Sequence, residues 1–156
     1  MAPAILIEDT RNKVGKHNNV QAYCERHGIE LVRQCLDVGD YMVPGGHIAV
    51  DTKRNLDETA HNLLNRNDRS RFWREVRRSR EQGIKLYVLT EHSPNIKSIE
   101  DVKKWNSKYS KITGKAVAKE IYRVHISYGV EFIFCSKQQT AKKIIEILSQ
   151  EEPNAR

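Results

Sequence analysis

Short apolar runs and amphipathic stretches alternate along the chain, and their two periods predict strands and helices in turn. The short runs rich in β-branched and aromatic residues predict six strands, at residues 5–7, 29–35, 41–43, 48–50, 84–90 and 132–135. Six helices fit between and after them, and the last has apolar residues at i, i+3, i+4 and i+7, namely Ala141, Ile144, Ile145 and Leu148. The predicted order of elements is β-α-β-β-β-α-α-β-α-α-β-α.

A strong turn signal, Pro44-Gly45-Gly46, lies between the third and fourth predicted strands and makes them a β-hairpin. We expect an antiparallel meander in the first half, and parallel neighbours in the second half, where strands alternate with helices. The fold class that follows is α/β, with a mixed central β-sheet flanked by helices. The 156 residues fit one domain over residues 1–150, with a short tail at 151–156.

The predicted hairpin brings candidate catalytic side chains together. Asp40 begins its first strand and Asp51 ends its second, so both carboxylates are expected at its open end. Lys53 follows Asp51 by two residues on an extended chain and should face the same side. This set suits phosphodiester cleavage, because hard oxygen ligands hold Mg²⁺ or Mn²⁺ and a lysine orients water or stabilises charge on the phosphate.

The spacing D-x(10)-D-x-K is the general outline of PD-(D/E)xK nucleases, although alone it also fits a hairpin whose charges are merely solvated. The surrounding motifs resemble, in order, those of the nuclease domain of the XPF family of structure-specific endonucleases. The matching segments are 7–12 for V-D-x-R-E, 36–41 for L-x-x-G-D-Y, 51–57 for E-R-K-x-x-x-D, 67–69 for D-G-R and 86–91 for a strand followed by Glu. The resemblance covers residues 4–149.

The chain departs from the family pattern at three of these positions. Asn12 and Asp51 stand where the family has Glu, and Thr52 stands where it has Arg. Asp is still a good oxygen ligand, only shorter, so the wider nuclease pattern is kept. The helicase region and the tandem helix-hairpin-helix module of the large family members do not fit within 156 residues. The fork or junction specificity of those members is therefore not carried over.

The resemblance implies a restriction-endonuclease-like, PD-(D/E)xK nuclease fold with its active site on the hairpin. The implied ligands of Mg²⁺ or Mn²⁺ are Asp9, Asp40 and Asp51. Lys53 is the implied catalytic lysine, and Arg11 and Asp57 are implied as further catalytic residues that support the site. Because members of the family cut as dimers, the resemblance also implies a homodimer.

Positive charge is concentrated in residues 66–80, which hold seven arginines, and this distribution says more than the net charge of +7. A second basic stretch carries Trp105 and Tyr109, which either stack on single-stranded or junction DNA or, for Trp105, pack on the core. The residues expected to bind DNA are Arg66, Arg69, Arg71, Arg74, Arg78, Lys104 and Lys108.

Other motifs mainly exclude functions. The three cysteines are not spaced as zinc ligands and are predicted to be reduced, mostly buried thiols. The chain contains no apolar run of about 20 residues that would span a bilayer and no signal peptide, so we expect a cytoplasmic, nucleoid-associated or nuclear protein. Without a G-x-G-x-x-G or Walker motif, no nucleotide cofactor is expected.

The leading hypothesis is a metal-dependent DNA endonuclease that acts on branched or flapped DNA. A Holliday-junction resolvase uses the same chemistry and is an alternative. A catalytically inactive DNA-binding or partner-scaffolding module is a second alternative, and the retained acid–lysine set argues against it. A ribonuclease of the same fold is a third, because the sequence does not reveal how the sugar would be sensed.

Overall fold

The computed structural model describes residues 2–14, 17–92 and 95–151, which form one mixed sheet with helices on both faces. The strands are β1 (Ile5–Asp9), β2 (Glu30–Gln34), β3 (Tyr41–Met42), β4 (Ile48–Lys53), β5 (Lys85–Glu91) and β6 (Glu131–Cys135). The helices are α1 (Asn18–Arg26), α2 (Leu56–Leu64), α3 (Arg66–Glu81), α4 (Ile99–Lys104), α5 (Gly114–Tyr128) and α6 (Thr140–Leu148). Apart from a single 3₁₀ turn at Lys137–Gln139, the element order is the predicted one.

The sheet has the strand order β2-β1-β3-β4-β5-β6. The predicted hairpin is confirmed, since β3 and β4 pair antiparallel with Tyr41 opposite Val50. The predicted parallel half is confirmed as well, because β4, β5 and β6 run in the same direction.

The prediction of an antiparallel meander through the whole first half was wrong for β2. This strand pairs with β1, in parallel, with Ile5 opposite Glu30. Helix α1 lies between the two strands in the chain, and a helical crossover returns the chain to the same end of the sheet, which makes the neighbours parallel. The next strand, β3, then pairs antiparallel with the other side of β1.

The two faces of the sheet bury separate apolar clusters. On one face α2, α3 and α5 pack on the sheet, through buried residues that include Leu56, Phe72, Val117, Ala49 and Val88. On the other face α1 and α6 do so, through residues that include Val20, Ile144, Tyr41 and Val50. Because side chains alternate along β4, Asp51 and Lys53 point towards the α2–α3 face and Thr52 towards the α1–α6 face.

Three further sequence predictions concern the periphery of the fold. All three cysteines are free thiols; Cys24 and Cys135 are buried as predicted, whereas Cys35 is exposed just beyond the end of edge strand β2. Glu151, the first residue of the predicted tail, accepts hydrogen bonds from the backbone N–H groups of His47 and Ile48, both at 2.5 Å. The rest of that tail, 152–156, lies outside the described residues. In the described part of the chain, every helix is too short or too polar to cross a membrane.

Two glycines shape the hairpin in different surroundings. Gly45 lies in its turn with φ +69° and open space where a Cβ would be. Gly39 precedes β3 with φ +73°, and a Cβ there would come within 3.0 Å of both Ala49 Cβ and Val50 O. Gly39 is therefore constrained by its backbone conformation and by close packing, and Gly45 by conformation alone.

We therefore expect Gly39→Ala to destabilise the protein more than Gly45→Ala does. The left-handed conformation costs an alanine about 1–2 kcal/mol at either position. At position 39 the crowding against β4 adds about 1–3 kcal/mol. Urea unfolding of the two variants and the wild type measures the difference, and equal losses would contradict the close packing at Gly39.

Candidate active site

The hairpin holds Asp40 firmly against the end of β4. The backbone N–H of Asp40 donates to Val50 O at 2.7 Å. Its carboxylate oxygen Oδ2 accepts two hydrogen bonds from Thr52, one from the backbone N–H at 2.8 Å and one from the side-chain hydroxyl at 2.7 Å. These bonds join the two strands at the open end, where the sequence placed both acids.

Asp51 and Lys53 lie on the same side of β4, as their spacing predicts. Lys53 Nζ is 2.9 Å from Asp51 Oδ2, and both side chains are about nine-tenths buried. The ammonium donates a hydrogen bond to Asn62 Oδ1 at 3.3 Å, whereas Asp51 Oδ2 has an ionic partner but no aligned hydrogen-bond donor among the described residues. Asp51 therefore carries a buried oxygen with capacity for another ligand.

The charges of this group are strongly perturbed. Burial raises the pKa of Asp51 to about 7, and the Glu75 carboxylate contributes to that rise while Lys53 opposes it. Burial also raises the pKa of Asp40 to about 6, with a further rise from Asp51 and a partial offset from the Thr52 hydrogen bonds. Burial alone would lower the pKa of Lys53, but the charges of Asp51 and Glu75 outweigh it and the net shift is upwards. Lys53 is therefore an ammonium at neutral pH.

The Asp9 carboxylate accepts hydrogen bonds from groups outside the hairpin. Arg11 Nε donates to its Oδ2 at 2.7 Å, and the backbone N–H of Leu36 donates to its Oδ1 at 2.9 Å. Arg11 also donates to the Leu36 carbonyl, so Asp9 and Arg11 together fasten the end of β1 to the chain after β2. Asn12, at the family's Glu position, is buried, and its Nδ2 has no hydrogen-bond partner among the described residues.

Asp57 is also engaged away from the hairpin acids. It lies in the first turn of α2, and its Oδ1 accepts a hydrogen bond from Ser107 Oγ at 2.6 Å. The loop that contains Ser107 also carries Trp105 and Tyr109. Trp105 packs against the core, which is one of the two roles that the sequence left open for it, whereas Tyr109 is 84% exposed. The supporting roles implied for Asp57 and Arg11 stay predictions.

A cleft of about 1020 Å³ opens beside Asp51 and Lys53. Three of the predicted DNA-binding residues line it, namely Arg71, Arg74 and Arg78. Arg66 and Arg69 lie next to it, in a depression of about 550 Å³ that shares Arg74. Lys104 and Lys108 line neither surface. The arginines of α3 thus form one wall of the space in front of the buried acid and lysine.

Among the cleft residues that the sequence reasoning missed, Glu75 and Asn62 lie directly beside the Asp51–Lys53 pair. Glu75, on α3, was counted only as a counter-charge among the arginines, yet it lies beside Asp51 and accepts a hydrogen bond from the Gly39 N–H at 3.1 Å. Its position three residues after buried Phe72 was the available signal, because that spacing puts both on one side of a helix. Asn62 had no signal of this kind, since its role depends on how α2 packs against β4.

The donor set of the site is compatible with a hard divalent cation. Carboxylates are the preferred ligands of Mg²⁺ and Mn²⁺, and Asp51 has a buried oxygen to spare. The raised pKa values of Asp40 and Asp51 show that the nearby positive charge does not fully compensate their burial. However, no three His, Cys, Asp or Glu side chains in the described part of the chain are grouped to hold a metal. The predicted trio of Asp9, Asp40 and Asp51 is not assembled, and its ligand role stays a prediction.

The mixed sheet, its helices and the acid–lysine hairpin define the restriction-endonuclease-like nuclease fold. The model of the ERCC4 domain matches residues 8–148, so the chain belongs to the ERCC4 domain family. Among solved structures, it is similar to XPF from Aeropyrum pernix with a TM-score of 0.67 and 16% sequence identity. The match covers 92% of this chain and 63% of the other. No curated protein matches the chain. The resemblance to the XPF nuclease domain drawn from the motifs is confirmed.

The raised pKa values predict that the metal-free protein loses stability as the pH rises. The pKa of Asp51 is about 7 in the fold against an ordinary 3.8, so folding favours its protonated form. The stabilising contribution is complete below pH of about 4 and is lost as the pH rises through about 7. Asp51→Asn keeps the shape and removes this titration.

In EDTA, we expect the melting temperature of the wild type to fall more between pH 5 and pH 8 than that of Asp51→Asn, by about 2–4 °C for each kcal/mol that the titration of Asp51 removes. Thermal unfolding followed by circular dichroism from pH 5 to pH 8 makes the comparison, with Glu25→Gln as an exposed control. A wild-type pH dependence that is unchanged in Asp51→Asn would contradict the assigned titration.

Proposed function

We propose that this protein is a DNA endonuclease that depends on Mg²⁺ or Mn²⁺. The observation that carries the proposal is the buried Asp51–Lys53 pair, with Asp40 beside it, at the edge of an arginine-lined cleft. Membership of the ERCC4 domain family supports a nuclease. The substrates we propose are branched or flapped DNA, including the four-way junction of a resolvase, in DNA repair or recombination.

The chemistry assigned to the site is hydrolysis, in which water attacks phosphorus and the bond to one bridging oxygen breaks. The attacking water gives one proton to the solvent, and the released oxygen takes up a proton from the solvent. A divalent ion held by Asp51 and Asp40 would supply Lewis acidity and lower the pKa of water. Because Lys53 stays protonated, we assign it the stabilisation of negative charge on the phosphate and the orientation of water, and not the role of a general base.

The arginines of the cleft account for substrate binding in this proposal. Arg71, Arg74 and Arg78 line the same wall, and guanidinium groups bind phosphates through paired hydrogen bonds. Arg66 and Arg69 extend the positive surface past Arg74. The contacts assigned here are to the DNA backbone, so they favour shape over base sequence.

A non-catalytic DNA-binding or scaffolding module is the second candidate. It is favoured by two observations: no metal-holding group of three is assembled among the described residues, and Asp9 is occupied by Arg11 and Leu36. A ribonuclease of the same fold is a further candidate, and RNA substrates test it. Inside a cell, we place the protein with DNA, in the cytoplasm or, in a eukaryote, in the nucleus.

We also propose a homodimer. Tyr122 and Ile126, one helical turn apart on α5, are 58% and 70% exposed. They lie on the helix that leads into β6, which forms one edge of the sheet. Exposed apolar pairs of this kind support a protein interface, and sedimentation velocity distinguishes a dimer from a monomer.

The wild type should cut labelled DNA in Mg²⁺ or Mn²⁺ and not in EDTA. Asp51→Asn and Lys53→Ala should lower the rate by about 100-fold or more, since each removes a charge at the reacting phosphate. Duplex, flap, fork and four-way-junction DNA, with a matched RNA, rank the substrates. Lys119→Ala, which removes an exposed lysine on α5, is the control and should cut normally. Tight DNA binding without cleavage in either metal would contradict the nuclease and support the non-catalytic DNA-binding or scaffolding module.

Arg74→Ala should weaken DNA binding on all sequences alike. If its guanidinium neutralises one phosphate, the slope of log affinity against log salt should become shallower by about 1. Fluorescence anisotropy at several salt concentrations, in EDTA, measures that slope without cleavage. Arg26→Ala removes an exposed arginine on α1 and should leave it unchanged. Equal slopes for the wild type and Arg74→Ala would show that this part of α3 does not contact the DNA backbone.

A further inference from the structure

Glu75 occupies a place in the cleft that its hydrogen bonding does not explain. It lies on α3 between buried Phe72 and buried Val76, at the edge of the core. Its carboxylate accepts a hydrogen bond from the Gly39 N–H at 3.1 Å and lies within hydrogen-bonding distance of the Asp51 carboxyl group. A glutamine at this position could accept the same bond through its amide oxygen, so the bond does not require a negative charge.

The negative charge of Glu75 is costly where it lies. Asp51 is 7% exposed, and two adjacent carboxylates repel each other strongly at such low exposure. Lys53 is the ammonium in contact with Asp51, and it also donates to Asn62. One lysine thus serves three acidic groups at this end of the cleft, Asp51, Glu75 and nearby Asp40.

An independent observation marks the same place. Asp51 Oδ2 is buried beside the cleft, and in the described part of the structure it contacts Lys53 Nζ at 2.9 Å without an aligned hydrogen-bond donor. A buried oxygen of this kind is rare in folded proteins and often marks an ion or a catalytic role. On the β1 side, Asp9 is neutralised by Arg11, and the neighbouring position 12 carries an uncharged Asn. The carboxylate that lies beside Asp51 in addition to Asp40 therefore comes from helix α3.

We propose that Glu75 is a metal-binding residue of this site, which holds the divalent cation together with Asp51 and supplies from α3 the charge that Asp9 does not. The inference rests on the proposed function, because that function brings in the cation. The arginines on the same helix then bind the DNA backbone while Glu75 holds the metal next to it. Helix α3 thereby contributes to both metal binding and DNA binding.

The test measures Mn²⁺ binding directly, by calorimetry on the DNA-free full chain, for the wild type, Glu75→Gln, Asp51→Asn and Glu81→Gln. Glu81 is an exposed acid near the end of the same helix and serves as the control. We expect Glu75→Gln to weaken Mn²⁺ binding by at least about tenfold, the lower end of the losses measured when residues around metal sites are replaced. Glu81→Gln should bind as the wild type does.

Thermal unfolding in EDTA at pH 8 separates this role from a structural one. Glu75→Gln keeps the acceptor for Gly39 and removes the repulsion with Asp51, so it should melt at or above the wild-type temperature. A lower melting temperature together with unchanged Mn²⁺ affinity would make Glu75 a structural residue and overturn the proposal.

The outcomes for Glu75 and for the proposed function are distinguishable. If the wild type binds Mn²⁺ and cuts DNA while Glu75→Gln binds Mn²⁺ equally well, only the role of Glu75 is lost. If the wild type neither binds Mn²⁺ nor cuts DNA, the nuclease and the metal-binding role of Glu75 fail together. Weakened binding in Glu75→Gln and Asp51→Asn, with Glu81→Gln unchanged, supports both.

Discussion

The register of the β3–β4 hairpin decides which face of the sheet carries the chemistry. With Tyr41 opposite Val50, Ile48 and Val50 of β4 enter the α1–α6 core, whereas Asp51 and Lys53 face α2 and α3. A slip of one residue would exchange the two faces along the whole strand. Strand β3 has only two residues, so the register depends on the turn at one end and on Gly39 and the Asp40–Thr52 hydrogen bonds at the other.

Once the register is fixed, Asp40, Asp51 and Lys53 are largely buried at the end of the hairpin, and the burial of their charges opposes folding. An acid pair with raised pKa values, and an acceptor oxygen without an aligned donor, are features that a fold selected for stability alone would lose. The surrounding core compensates for them, because Leu56, Ala49 and Val88 beneath the site are fully or almost fully buried. The stability of the apolar layers thus offsets the cost of holding these charged groups buried beside the cleft.

The sequence was most informative where local signals and long-range structure agree. The Pro44-Gly45-Gly46 turn and the spacing of Asp51 and Lys53 are local, and they were enough to predict the hairpin and the shared side of the two residues. The alternation of strands and helices in the second half was equally sufficient for the parallel order. By contrast, the partner of β2 depends on how a crossover helix packs, and two apolar strands in succession do not reveal it.

The same distinction applies to the candidate site. Asp51 and Lys53 were placed on the same side correctly because a period of two fixes the side of a strand residue, but helix residues enter the site only through packing between elements. Glu75 reaches Asp51 because Phe72 and Val76 anchor α3 on the sheet, and no local pattern contains that distance. The motif match likewise could not show that Asp9 is occupied by Arg11 and the Leu36 backbone, or that Asp57 turns to Ser107.

The departures from the family motif become coherent when considered together. Asp51 is shorter than Glu by one methylene, which keeps its carboxylate close to the sheet and almost fully buried. Thr52 has no charge, and its hydroxyl instead fixes Asp40 at 2.7 Å. Both changes draw the acidic group inwards, so the cation proposed at Asp51 would gain from a longer side chain on the neighbouring helix. Glu75 has that length, and its helix already carries the arginines that face the same space.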